Sequence, residues 1–114
     1  MAVMQNIEEV SVKIIASAGD ALAQMVQALD AARVGDFEKA DSLMQQASLS
    51  ITEAHKVQTG LITQEAQGIK SEYSILMVHA QDHLMNAMLA QILIKEMIQL
   101  YRKLAEVSKG GKFN

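Results

Sequence analysis

No proline occurs among the 114 residues, and apolar side chains recur every three or four residues along most of the chain. Proline inside a helix costs about 3 kcal/mol because it lacks the N–H that the helix needs. A spacing of three and four places apolar side chains on one face of an α-helix. The two features predict an all-α protein with a few long helices, and the length corresponds to one domain.

Two short breaks divide the chain into three helical segments. Asn6 is a suitable N-cap for the first, with Glu9 in the capping-box position, and Gly35 is suited to end that helix. Asp36 follows as the next N-cap, so we expect the first two helices to be antiparallel neighbours. We place the second break at 63–70. The second segment carries a narrow apolar seam, interrupted once by a glutamine, that consists of Phe37, Ala40, Met44, Ala47, Ile51, Ala54, Gln58 and Leu61.

The third segment, from about Ser71 to Val107, carries two apolar stripes, centred on nearly opposite sides of a helix. A helix that is apolar on two faces should be buried on two faces. We expect the first stripe to pack within the protomer and the second to pack against copies of the chain. The first consists of Tyr73, Leu76, Ala80, Leu84, Ala87, Gln91, Ile94, Ile98 and Tyr101. The second consists of Ile75, Val78, Asp82, Met85, Leu89 and Ile92.

The sequence therefore predicts an antiparallel three-helix bundle over residues 1–107 that forms a homo-oligomer. Residues 108–114 have little to pack, and we expect them to be a flexible tail.

Composition excludes several classes of function. The chain has no cysteine, which removes disulfides, thiolate catalysis and sulfur-ligated zinc sites. A net charge of −3 argues against nucleic acid as a partner. The apolar runs are far shorter than the roughly 20 residues of a membrane span, and the N-terminus has no signal-peptide pattern. We therefore expect a cytoplasmic protein with no direct membrane insertion.

The candidate chemistry lies in the third segment, where His79, Gln81, Asp82 and His83 follow one another closely. Residues three and four apart are neighbours on a helix, so His79, Asp82 and His83 can share one side. Asp82 falls in the second apolar stripe, where a carboxylate is costly unless it is paired, protonated or bound to a cation. On the residues alone, a purely structural role for His79 and His83 remains open. Asp82 can also serve only to fix the oligomeric state, as a buried Asn does in coiled coils. The third histidine, His55, reads as a surface or seam residue with no chemistry.

Phosphoryl transfer to a histidine is one reaction that requires little more than a single accessible imidazole. The sequence has no nucleophile turn, no H-E-x-x-H arrangement and no glycine-rich phosphate loop. Neutral imidazole is a competent nucleophile near pH 7, and positioning supplies most of the remaining catalysis.

The chain resembles the lactose/cellobiose-type IIA component of the bacterial phosphoenolpyruvate-dependent sugar phosphotransferase system. The resemblance extends from about Ile7 to Leu104, and its strongest part is the run Val78-His79-Ala80-Gln81-Asp82-His83-Leu84-Met85. The stretch Glu53-Ala54-His55-Lys56-Val57-Gln58-Thr59 and the turn Gly35-Asp36-Phe37 support it.

The resemblance implies a homotrimer of three-helix protomers and a phosphotransferase activity as a phosphohistidine carrier. It implies that His79 accepts a phosphoryl group from the carrier protein HPr and passes it to a cysteine of the cognate IIB component. Gln81 and His83 would support the phosphoryl group. Asp82 would lie near the threefold axis and hold a divalent ion among three copies, and oxygen ligands favour Mg²⁺. The sugar would be a disaccharide of the cellobiose, chitobiose or lactose type.

Two other hypotheses remain open. The first is that the chain is a non-enzymatic helical scaffold or interaction protein in which Asp82 sets the oligomeric state. The second is that the chain is a metal-binding protein that uses His79, Asp82 and His83 within one chain.

Overall fold

Three long α-helices make up the fold in the computed structural model, which describes residues 6–70 and 73–109. Helix α1 spans Ile7–Arg33, α2 spans Phe37–Ala66 and α3 spans Ile75–Lys109. The predicted all-α class and the three-helix bundle are confirmed.

Both ends of α1 and the start of α2 are formed by the residues that the sequence predicts. The Asn6 side chain accepts a hydrogen bond from the Glu8 backbone N–H at 2.8 Å, which caps the start of α1. Gly35 follows α1 with a φ of 84°, a left-handed conformation that glycine adopts without strain. The Asp36 side chain then accepts from the Lys39 backbone N–H at 3.2 Å and caps α2. The turn between these helices is therefore short and locally determined.

Helix α3 begins at Ile75, four residues later than the sequence predicts. The Ser74 hydroxyl accepts from the Met77 backbone N–H at 3.4 Å, and the Ser74 carbonyl accepts from the Val78 N–H at 3.1 Å. Tyr73 precedes this cap and is 82% exposed, so its predicted place in the buried stripe is wrong. At the other end α3 continues to Lys109, so residues 108 and 109 of the predicted tail are helical, and the rest of that tail, 110–114, lies outside the described residues.

Helix α1 lies at the centre of the packing, because it contacts both other helices along most of its length, whereas α2 and α3 contact each other only sparsely. The molecule is a rod of 63 × 24 × 20 Å. Small side chains dominate the core and let the helices approach closely. The core alanines are Ala18, Ala21, Ala28, Ala31, Ala32, Ala40, Ala47, Ala54, Ala80 and Ala87.

Two side-chain contacts fix the register of α2 against α3. Near one end of the rod, Arg102 of α3 donates to the Asp41 carboxylate of α2, and its guanidinium lies 4.9 Å from the centre of the Phe37 ring. Near the other end, Gln58 of α2 hydrogen-bonds to Gln81 of α3. The two contacts show that the helices run antiparallel, and they place the second half of α2 beside the first half of α3.

The two stripes of α3 differ in burial as the sequence predicts. Ala80, Leu84, Ala87, Ile94 and Ile98 of the first stripe are buried in the core. The apolar members of the second stripe are 53–77% exposed in the single chain. Within the described part of the chain, no helix combines the length and hydropathy of a membrane span. The homo-oligomer that would cover the second stripe stays a prediction.

Candidate functional site

His79 and His83 form a contacting pair on the first half of α3. Their Nε2 atoms are 3.1 Å apart, and their rings meet edge to face with centroids 4.5 Å apart. His79 is exposed, whereas His83 is half-buried. A hydrogen bond between two neutral rings requires one Nε2 to carry the hydrogen and the other to offer its lone pair. With the hydrogen on His83 Nε2, the pair places a nucleophilic nitrogen of His79 at the surface with an N–H donor beside it.

Asp82 is also exposed, and it lies on the second stripe between Val78 and Met85. Within residues 6–70 and 73–109, no cluster of three or more His, Cys, Asp or Glu side chains is placed to hold a metal ion. His79, Asp82 and His83 therefore do not form a complete metal site within one chain. Mg²⁺ in proteins is usually held by one or two carboxylates together with several waters, and Asp82 supplies one carboxylate.

Gln81 faces α2 and does not join the histidine pair. Residues two apart on a helix point about 200° apart, so Gln81 lies on the opposite flank of α3 from His79. Its Oε1 accepts a hydrogen bond from Gln58 Nε2, and its own Nε2 lies 3.6 Å from the Met77 sulfur. Within one chain, Gln81 is therefore not beside His79, where the resemblance implies that it supports the phosphoryl group.

Gln58, which interrupts the apolar seam of α2, is the hydrogen-bond partner of Gln81. No role was predicted for it from the sequence. It is only 6% exposed, and a buried amide without a partner is costly. Its Nε2 donates to Gln81 and also lies 3.8 Å from the Met85 sulfur. A glutamine in an apolar seam predicts a hydrogen-bond partner, because buried polar groups are almost always hydrogen-bonded.

We expect Gln81→Leu to destabilise the chain by about 1–3 kcal/mol, because it leaves the buried Gln58 amide with only a weak thioether acceptor. Gln58→Leu should cost less, since the half-buried Gln81 can bond to water. The double variant should lose less free energy of unfolding than the sum of the two single losses, because neither amide is then unpaired. Urea unfolding of the four proteins at one concentration measures this. Strictly additive losses would show that the two amides do not interact.

His55 lies on α2 and is exposed, which agrees with its interpretation as a surface residue. Of the three histidines, only His79 and His83 contact each other. His55 therefore provides an internal control for experiments on the pair.

The sequence profile of the lactose/cellobiose-specific IIA subunits of the phosphotransferase system (PTS) matches residues 9–102. The chain belongs to this family. It is 47% identical over 91 residues to the lactose-specific EIIA component of Staphylococcus epidermidis, an alignment that covers 80% of this chain and 88% of that relative. It is also 47% identical over 91 residues to the lactose-specific EIIA component of Lactococcus lactis, of which 87% is covered.

Solved structures of IIA proteins share the fold. The cellobiose-specific enzyme IIA from Bacillus anthracis superimposes with a TM-score of 0.85 and 42% identity, over 91% of this chain and 95% of that one. The IIA(Chitobiose) protein of the Escherichia coli phosphotransferase system, solved in complex with HPr, gives a TM-score of 0.77 and 42% identity. That superposition covers 90% of this chain and 99% of the E. coli chain. The family thus gives the chain a role in phosphoryl transfer within a sugar phosphotransferase system.

Proposed function

We propose that the chain is a phosphocarrier in which His79 accepts a phosphoryl group from phospho-HPr. The observation that carries this proposal is the exposed His79 imidazole with the ring nitrogen of His83 3.1 Å away. Membership of the IIA family supports the role.

In the proposed reaction, the Nε2 lone pair of His79 attacks the phosphorus of phospho-HPr. A new N–P bond forms on His79, and the N–P bond to the HPr histidine breaks, so no other co-reactant is needed. Catalysis in such transfers comes mainly from positioning and from donors aimed at the phosphoryl oxygens. His83 Nε2–H, which is next to His79 in the resting pair, can turn to donate to one of those oxygens.

The proposed partners are HPr and a IIB component. The IIA(Chitobiose) relative was solved in complex with HPr, which supports HPr as the donor. In the second transfer, a IIB cysteine thiolate takes the phosphoryl group from His79, and the imidazole nitrogen is the leaving group. The transported sugar is proposed to be a disaccharide, because the relatives are named for lactose, cellobiose and chitobiose.

We further propose a homotrimer in which the second stripe of α3 is buried against other copies. The exposure of Val78, Met85 and Leu89 supports this, because an apolar stripe along a helix favours a protein partner. Asp82 of each copy would then lie in the buried contact, where like charges repel strongly. A divalent ion, proposed to be Mg²⁺, would neutralise the three carboxylates there.

The experiment that tests the proposed function is incubation of the chain with HPr that has been phosphorylated beforehand, followed by intact-mass measurement. We expect the mass to rise by one phosphoryl group per chain. The added group should be lost in acid, as a phosphoramidate is, and retained at alkaline pH. An unchanged mass in the presence of active phospho-HPr would reject the proposal.

A further inference from the structure

The histidine pair has the spacing of two ligands on a single metal ion. Its Nε2 atoms are 3.1 Å apart, and two nitrogens at that separation, each about 2.1 Å from a shared ion, subtend about 95° at it. This is close to the right angle of square-planar and octahedral complexes, and it is about 15° below the tetrahedral angle that Zn²⁺ prefers. The helix makes this spacing possible, because residues four apart lie on one face.

The chemistry of the pair selects the class of ion. Imidazole nitrogens suit Zn²⁺, Cu²⁺ and Ni²⁺, whereas Mg²⁺ prefers oxygen ligands. The rings meet at 88°, and rotation about the Cβ–Cγ bond, which is broadly allowed for histidine, can aim both lone pairs at one point. Neutral imidazoles need only keep their hydrogens on Nδ1 for both Nε2 atoms to bind.

We propose that His79 and His83 together chelate one divalent transition-metal ion per chain. No third His, Cys, Asp or Glu joins them in the part of the chain that the structure describes, so water fills the remaining positions. This site is separate from the oxygen site proposed at Asp82, because it needs only one chain and a different kind of ion. The ion occupies the Nε2 of His79, and it therefore blocks phosphoryl uptake. This second consequence rests on the proposed function.

Calorimetric titration of the untagged chain with Zn²⁺, in buffer with excess Mg²⁺, tests the binding directly. We expect the wild type and the matched control His55→Ala to bind one ion per chain with the same affinity. His79→Ala and His83→Ala should each weaken binding by about tenfold or more. Circular dichroism of all four proteins checks that the helices remain formed. Equal binding by all four, or a loss confined to His55→Ala, would overturn the proposal.

A second experiment tests the consequence for transfer. Phosphoryl uptake from previously phosphorylated HPr is measured with and without Zn²⁺, which avoids any effect of Zn²⁺ on the enzyme that phosphorylates HPr. We expect Zn²⁺ at saturating concentration to stop uptake by the wild type and by His55→Ala. Uptake by His83→Ala should resist the same Zn²⁺ concentration, because this variant has lost the chelate and retains His79. Equal inhibition of His83→Ala and wild type would contradict the blocking mechanism.

The two proposals fail in different ways. Zinc binding that depends on both histidines, in a chain that takes up no phosphoryl group, would support the metal chelate and reject the phosphocarrier function. Normal phosphoryl uptake with no histidine-dependent zinc binding would support the phosphocarrier function and reject the metal chelate.

Discussion

His79→Ala should abolish phosphoryl uptake, because the variant loses the atom that forms the new bond to phosphorus. Positioning, docking of HPr and the donor at His83 cannot replace a missing nucleophile. The substitution lies at an exposed position, so the free energy of unfolding should change by no more than about 0.5 kcal/mol. Intact mass after incubation with phospho-HPr, together with urea unfolding, measures both quantities on the same protein.

Two histidine variants serve as controls for that result. His55→Ala should take up the phosphoryl group at the wild-type rate, because His55 is exposed on α2 and does not contact the pair. His83→Ala should still be phosphorylated, but more slowly, since it loses a donor to the phosphoryl oxygens and keeps the nucleophile. Full phosphorylation of His79→Ala would assign the acceptor to another residue and reject the proposed mechanism.

Asp82→Leu should tighten the assembly of the chain. In the proposed trimer each Asp82 carboxylate faces two others, and its removal relieves their repulsion and the cost of burying a charge. Each new leucine also buries an apolar side chain, which contributes about 1.5–3 kcal/mol per chain. The dissociation constant of the trimer should therefore fall, and added Mg²⁺ should no longer affect it.

Sedimentation equilibrium over a range of protein concentrations, with and without Mg²⁺, measures this effect. Leu89→Asp is the opposite variant, because it adds a charge to the same exposed stripe and should dissociate the assembly. Glu53→Leu, which makes a similar change at an exposed position on α2, should leave the oligomeric state unchanged. Weaker assembly of Asp82→Leu would contradict the placement of Asp82 in the contact between copies.

Features that depend on neighbouring residues could be predicted from the sequence. The caps at Asn6 and Asp36 and the left-handed Gly35 involve residues at most three apart, and the structure has them as predicted. The His79–His83 pair follows from the same helical spacing. The start of α3 could not be read in this way, because Tyr73 fits the spacing of the buried stripe although Ser74 caps the helix.

The partner of Gln81 depends on a different kind of information. Gln58 is 23 residues away along the chain, and the contact exists only because α2 and α3 pack in one particular register. Periodicity gives the face of each helix but not the register between two helices. The position of Gln81 relative to His79 could nevertheless be predicted from the sequence, because two residues along a helix correspond to a rotation of about 200°.

The exposed stripe of α3 also bears on what thermal stability means for this protein. A partner that binds only the folded state stabilises it by mass action, and here the proposed partner is the chain itself. We therefore expect no single melting temperature. The midpoint should rise with protein concentration and level off only once nearly every chain is assembled. Cells that make little of the chain would then hold a less heat-resistant form of it than cells that make much.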